Sequence, residues 1–278
     1  MTVNSRTDMA SESVGRLQKS RLPDGIETET ENIRGFEIFH VRVKDASAGR
    51  LIGKPLGDYY TLQLEGLPRG MGDEFRNAAE AVGNLISRCL PADGKSCLIA
   101  ALGNPDITPD ALGPLCAEHI LVTRHLTADP AFSGLNSAAV IRTGVLGTTG
   151  VESASQIKAI CGVVKPDAVI AVDALAGAEL GGLCRSVQVS TGGISPGSGV
   201  LNDRPEISAA FLGVPVIAVG VPTVADGKDL LDKGAEDTFL TPRDIDVAVR
   251  SLAKVIAYGI NLAVNPGLSI DDIRELNE

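Results

Sequence analysis

The chain has 278 residues, room for one large domain or two small ones and ample length to bury a substantial core. With 44% hydrophobic and 22% charged residues it has a globular composition, which excludes wholesale disorder and collagen-like or coiled-coil repeats. A formal charge of −10 leaves no excess of cations to displace counterions, so direct nucleic-acid binding through the phosphate backbone is not expected and a basic or unfolded protein partner fits better.

The five cysteines, Cys89, Cys97, Cys116, Cys161 and Cys184, are odd in number, widely spaced and free of any CxxC pair. Neither a disulfide framework nor a zinc site is expected from such usage. The opening MTVNSRTDMASESVGRLQ lacks the apolar core of a signal peptide, and apolar runs such as VPVIAVGV are too short to span a bilayer. The expectation is a cytoplasmic, reduced protein without a membrane partner.

Residues 1–32 are polar with no sustained apolar period, so they are expected to form an N-terminal arm, mobile or loosely docked, ahead of a single α/β domain over residues 33–278. FEIFHVRV from Phe36 and YYTLQL from Tyr59 read as two strands of a hairpin with a long loop. From Asp73 to Leu90, the residues Phe75, Ala78, Ala79, Val82, Leu85, Ile86 and Cys89 recur at helical spacing. The chain then alternates: CLIAAL, an apolar-periodic stretch through His119 to Leu126, AAVIRTG, a helix around Val151 to Val163, and DAVIAVDAL. SVQVS, the glycine-rich loop TGGISPGSGVLND and VPVIAVGVP follow, and Thr241 as N-cap with Pro242 opens a last helix through Ala263. Apolar strands without clean alternation, separated by helices, indicate an α/β fold: a doubly wound, mostly parallel sheet with helices on both faces.

In such a sheet ligands bind beyond the carboxyl ends of the strands, and three places there carry polar residues. After CLIAAL comes Gly103-Asn104-Pro105-Asp106-Ile107-Thr108-Pro109-Asp110; with Thr108 as N-cap, Asp110 would fall in the first helical turn, where its anion is favoured and where acidic residues are also ordinary. After DAVIAV comes Asp173, an acid at the end of an apolar strand, either a functional carboxylate or a cap for the next helix. After SVQVS comes the loop Gly192 to Gly199, able to approach a peptide backbone with Gly197, Ser198 and Gly199, but matching no phosphate or dinucleotide fingerprint. Two carboxylates brought close cannot both ionise, so one acts as base and one as acid. Asp110 is the expected base and Asp173 the expected acid, with Asn104 and the Gly197–Gly199 segment as substrate contacts.

Other nucleophiles are less well supplied. Ser195 and Ser198 lack a G-x-S-x-G elbow, and only His40, His119 and His125 could serve as a base. Cys97, Cys116 and Cys161 fall on expected strands and helices and read as small core residues. Glu152 sits near a helix start, where compensation of the helix dipole is the ordinary role.

At these motifs the chain resembles the germination protease family of endospore-forming bacteria. The matching stretches are SRTDMA, LGNPDITPDALGP, VTRHL, GVLGTTGVES, KPDAVIAVDALAG, GGISPGSGVLNDRPEIS, GVPVIAVGVPTVAD and LTPRDIDVAVRSLAKVIAYGINLAVNP. The resemblance implies an aspartic-type endopeptidase that degrades small acid-soluble spore proteins, with Asp110 and Asp173 as the essential pair and no metal or other cofactor. It also implies a fold similar to the hydrogenase-maturation endopeptidases, a homotetramer in the forespore or spore core, and a zymogen activated by self-cleavage between Asp8 and Met9. Two departures accompany it: a shorter segment ahead of Asp8, and passage from VPTVAD through GKDLLDKGAEDTF to LTPRDID where typical members carry a long insertion. A substrate that is largely unstructured could enter as an added strand, with the Gly192–Gly199 loop supplying donors to the oxyanion. Two other readings remain: a metal-dependent processing peptidase of hydrogenase-maturation type with His125 as a ligand, and a non-catalytic module binding a phosphorylated ligand in the glycine-rich loop.

Overall fold

The computed structural model describes residues 7–17, 22–68, 70–195, 206–227 and 238–277. In chain order its elements are α1 (Ala10–Leu17), β1 (Ile26–Ile33), β2 (Phe36–Val43), α2 (Ala46–Ile52), β3 (Gly57–Gln63), α3 (Asp73–Cys89), β4 (Ser96–Leu102) and α4 (Leu112–Ala117). They continue with β5 (Ser137–Gly144), α5 (Leu146–Thr149), α6 (Ser153–Val164), β6 (Ala168–Gly177), β7 (Ser186–Ser190), α7 (Ala209–Leu212), β8 (Val216–Asp226), β9 (Phe239–Leu240), α8 (Ile245–Val264) and α9 (Ile270–Asn277). A 3-10 turn over Thr108–Asp110 precedes α4.

All the described strands join one sheet in the order β1-β2-β3-β7-β8-β6-β4-β5, with β9 against the end of β8. Its two halves obey different rules. β8, β6, β4 and β5 run parallel and are joined through helices, whereas β1, β2, β3 and β7 are antiparallel to their neighbours, β7 to β8 included. In the parallel half the strands are apolar throughout because both faces are covered, and β6 is buried at nine of its ten positions. The α/β expectation with helices on both faces therefore holds.

Alternation along each strand divides the core in two. Cys97, Ile99, Ile170, Val172, Ile217, Val219 and Val221 face α3, α4, α8 and α9. Leu98, Ala100, Val169, Ala171, Leu175 and Ala218 face the other way, toward Ala154, Ile157 and Cys161 of α6 and Leu212 of α7. On that second face the antiparallel half is covered by a separate cluster, in which Ala10 and Val14 of α1 and Ala48 and Ile52 of α2 meet Val41, Val43 and Tyr59. The helix α8 is long and apolar enough to cross a bilayer by length and composition, but it is a core helix packed on α3. Gly83 and Gly259 let the two backbones meet, for a Cβ on Gly83 would stand 2.9 Å from the Gly259 carbonyl oxygen.

Several expectations need correction. Residues 1–32 are not a loosely held arm where the structure describes them: α1 is docked and β1 pairs in full register with β2, from Ile26 opposite Val43 to Ile33 opposite Phe36. The tight turn between these strands places Arg34 at φ 54° and Gly35 at φ 91°, the left-handed pair that matches strand twist in a two-residue hairpin. The stretch from His119 to Leu126 is irregular, since α4 stops at Ala117. There the buried Asn261 of α8 holds the chain, accepting from Leu121 N–H at 3.0 Å and donating to the His119 carbonyl at 2.8 Å. Thr241 does not cap α8; its hydroxyl donates to the Thr223 carbonyl at 3.0 Å and the helix begins at Ile245.

Candidate active site

The carboxyl edge of the parallel half is built by a close backbone crossing. β4 leaves the sheet through Gly103 at φ 106°, and the chain returns in the Thr108–Asp110 turn so near that a Cβ on Gly103 would lie 2.0 Å from the Asp110 carbonyl oxygen. Three residues on, Gly113 at the start of α4 presses into the sheet: a Cβ there would stand 2.2 Å from the Leu102 oxygen, 2.6 Å from the Leu102 nitrogen and 2.7 Å from the Val172 oxygen. Only glycine fits at both positions, and together they hold Asp110 over the ends of β4 and β6.

Asp110 itself is half-buried, and its Oδ2 accepts from the Asn104 N–H at 2.8 Å. The Thr223 hydroxyl of β8 donates to the Pro109 carbonyl at 2.8 Å and pins the turn from the other side. Thr108 does not act as an N-cap and Asp110 precedes α4 rather than lying in its first turn, so a backbone N–H rather than a helix terminus steadies this carboxylate. Asn104 serves the same turn with its side chain, whose Oδ1 accepts from the Asp106 N–H at 3.0 Å.

Asp173 is the sixth residue of β6, which runs on to Gly177, so it lies within the strand rather than at its end and caps no helix. It is 5% exposed, and its Oδ1 accepts from the Ala174 N–H at 2.9 Å. The β4–β6 ladder ends with Ala101 opposite Val172, which makes Asp173 the first residue of β6 beyond it, beside Leu102 and the Gly103 exit. Both expected carboxylates are thus brought to one edge, carried by abutting backbone. On its other side Asp173 is in register with Gly220 of β8, and Gly220 with Gln188 of β7. Residues in one row point to one face, so Gln188 and Asp173 share a face with only a glycine between them.

The segment around Asp8 and Met9 lies on that same face, in the seam between its two apolar clusters. Met9 is 1% exposed and packs in the cluster of Ala171 and Leu175, while Ala10 and Val14 join the cluster of Tyr59 and Val41. Asp8 is tied to β6 beyond the end of β4: its N–H donates to the Ala176 carbonyl at 2.8 Å, and its Oδ2 accepts from the Ala176 N–H at 2.9 Å. Gln188 donates from Nε2 to the Asp8 carbonyl at 3.0 Å and accepts at Oε1 from the Ala10 N–H at 2.8 Å. The Lys54 ammonium donates to the Thr7 carbonyl at 3.0 Å. Burial lowers its pKa, while the charges of Asp8 and Glu12 act to raise it. Glu12 accepts from the Ala178 N–H at 2.7 Å and from the Thr7 hydroxyl. Sequence reasoning missed Lys54 and Gln188, although a Gln inside the apolar strand SVQVS was a visible signal.

The glycine-rich loop is placed differently from expectation. Because β7 is antiparallel to β8 and ends with Ser190 opposite Ala218, the loop leaves from the amino edge of the parallel strands, away from the Asp110 turn. Gly192 there packs on the Tyr59 ring, and Ile194 bridges Ile207. Gly197, Ser198 and Gly199 lie outside the described residues.

His40 is engaged elsewhere, with Nε2 2.8 Å from Asp58 Oδ1 and its ring stacked on Tyr60. His125 is exposed, and among the described residues no group of three or more His, Cys, Asp or Glu lies together as a metal-binding set. The cysteines are free and burial pushes their thiols up, Cys97 to about 11 and Cys184 to about 12, which suits core packing rather than nucleophilic attack.

Comparison with known proteins meets this geometry at its motifs. The family model described as germination protease matches residues 3–234, which include Asp8, Asp110, Asp173 and Gln188. The chain belongs to the germination protease family. A germination protease of Caldanaerobacter subterraneus subsp. tengcongensis is 36% identical over 316 aligned residues, covering 98% of this chain and 97% of the relative. One from Clostridium perfringens is 32% identical over 323, covering 98% of each. One from Bacillus cytotoxicus is 39% identical over 232, covering 80% of this chain and 63% of the relative. The first two alignments are longer than the 278-residue chain, so those family members carry residues that this one lacks. Among solved structures, a [NiFe] hydrogenase maturation protease, HycI, from Thermococcus kodakarensis aligns with a TM-score of 0.37 and 20% identity, over 63% of this chain and 98% of that one. Membership in the family makes the chain a protease acting on a protein substrate.

Proposed function

We propose that this protease is an aspartic-type endopeptidase that degrades small acid-soluble spore proteins, with Asp110 and Asp173 as its catalytic pair. The observation that supports this most is that the Asp110 turn and Asp173 both lie at the carboxyl edge of β4 and β6, where Gly103 and Gly113 let the backbones cross closely. One carboxylate, Asp110, is steadied by a backbone N–H in a half-buried turn, and the other, Asp173, is almost wholly buried. Environments that differ in this way suit a division of labour in which Asp110 activates water and Asp173 supplies a proton. No cofactor is required by that scheme. A protein substrate of low intrinsic structure can be taken in extended form, its backbone bonding β6 as the Asp8 N–H bonds the Ala176 carbonyl. The same reading makes the chain a zymogen cut between Asp8 and Met9, acting as a homotetramer in the cytoplasm of the forespore or the spore core.

The test is incubation of the purified protein with an acid-soluble spore protein, wild type beside Asp110→Asn and Asp173→Asn, with and without EDTA. Cleavage that survives EDTA and is lost in both folded variants is the expected result. Full activity in either variant refutes the pair, and loss of activity with chelator moves the mechanism to a metal. Sedimentation of the same sample tests the tetramer.

A further inference from the structure

The Thr7–Ala10 segment is held by side chains that neither catalysis nor ordinary core packing explains. Gln188 is 6% exposed in the middle of an apolar strand, and both ends of its amide are spent on one short stretch of chain, Nε2 on the Asp8 carbonyl and Oε1 on the Ala10 N–H. The first is the carbonyl of the Asp8–Met9 peptide bond itself, and the second is the N–H of the next peptide unit. An amide that donates to the residue before a bond and accepts from the second residue after it fixes that stretch in register, since a slip by one residue breaks both contacts. The row from Gln188 across Gly220 to Asp173 places this grip on the face of the sheet that carries the buried carboxylate. Gly220 between them is covered by a neighbour, because a Cβ there would stand 2.6 Å from Leu175 Cγ and 2.8 Å from the Asp173 carbonyl oxygen, so the Leu175 side chain packs directly on that glycine.

Lys54 supplies the second contact. Its ammonium donates to the Thr7 carbonyl at 3.0 Å, and burial lowers its pKa against the opposing charges of Asp8 and Glu12 on the docked segment. The residue after Asp8 is treated in the opposite manner: Met9 enters the apolar cluster of Ala171, Leu175 and Ile194.

We propose that Gln188 is the specificity-determining residue of this protease, its amide setting which peptide bond is presented, with Lys54 holding the Thr7 carbonyl ahead of that bond. This rests on the peptidase reading of Asp110 and Asp173. The chain's own Thr7–Ala10 stretch occupies the subsites in this structure, and an extended segment of a protein substrate takes the same places.

The experiment uses the full chain and two readouts. Self-cleavage is followed by mass spectrometry of the N-terminus in wild type, Lys54→Met, Lys54→Arg and Gln188→Leu. Lys54→Met, which removes the donor to the Thr7 carbonyl, is expected to slow the cut at the 8–9 bond about tenfold and Lys54→Arg to restore it; an unchanged rate in Lys54→Met overturns its part. Gln188→Leu is expected to scatter the cut to neighbouring bonds. The second readout is amide hydrogen exchange in the Asp173→Asn background, where Gln188→Leu should raise exchange at Ala10 about tenfold or more while Ile170 in the core of β6 keeps its protection. A wild-type chain that cuts spore protein, with a Gln188→Leu variant that keeps both the 8–9 cut and the Ala10 protection, overturns the clamp. A wild-type chain that cuts nothing, with Ala10 protection lost in Gln188→Leu, overturns the peptidase reading and upholds the grip on the segment.

Discussion

Replacing Gly113 by alanine adds one methyl group at the point where α4 meets the sheet, and the structure sets the size of the consequence. The new Cβ would meet three backbone atoms at 2.2, 2.6 and 2.7 Å. Two belong to Leu102 and one to Val172, and both strands are held in the β4–β6 ladder, so neither can give way as a side chain would. The start of α4 must retreat instead, by about 1 Å to restore ordinary contact. Overpacking of this kind costs about 1–3 kcal/mol, and the upper end applies because no rotamer relieves it. The Asp110 turn is continuous with α4 and moves with it, and a misplacement of about 1 Å in a catalytic group lowers turnover about 100-fold. Urea unfolding gives the first quantity and cleavage of an acid-soluble spore protein the second. Gly15→Ala on α1, where an added Cβ meets nothing within 4 Å, is the control and should leave stability unchanged or slightly raised. A Gly113→Ala protein with unaltered unfolding refutes the close crossing. One that is destabilised yet turns over at the wild-type rate refutes the claim that this crossing positions a catalytic Asp110.

Two further expectations concern the scaffold. Asn261→Leu strips the partners from the Leu121 N–H and the His119 carbonyl in a buried setting, and should cost about 2–4 kcal/mol in urea unfolding. At Asp58 burial works against ionisation, but hydrogen bonds from Arg42 and His40 outweigh it and hold the carboxyl below its usual value of 3.8. A depressed carboxylate contributes stability above its unfolded pKa and loses it as pH falls through the folded one. Wild type should therefore lose stability relative to Asp58→Asn as pH drops from about 4 toward 2, and parallel curves for the two proteins would contradict the assignment.

The parallel half of the sheet was legible in the sequence because strands buried on both faces must be apolar throughout, a demand visible in CLIAAL, DAVIAVDAL and VPVIAVGV without any knowledge of their partners. The long helix α3 was legible for a related reason: one buried face imposes its period on seventeen successive residues. Asp173 stood out because a carboxylate in such a strand is costly wherever the strand lies. The strand β1 escaped notice because IETETENI is mostly polar and earns its place as an edge strand through backbone pairing with β2. The direction of β7 was equally hidden, since SVQVS reads the same whether it runs with β8 or against it, and that direction makes the chain leave Ser190 at the opposite edge from Asp110. Local pattern thus determined which segments are buried and which residue types are anomalous there, because burial acts on each residue separately. Only the tertiary structure decided that Asp110 returns over β4 through two glycines, and that Asp8 and Met9 dock between Gln188 and Ala176, because those contacts join groups far apart in the chain whose individual chemistry is unremarkable.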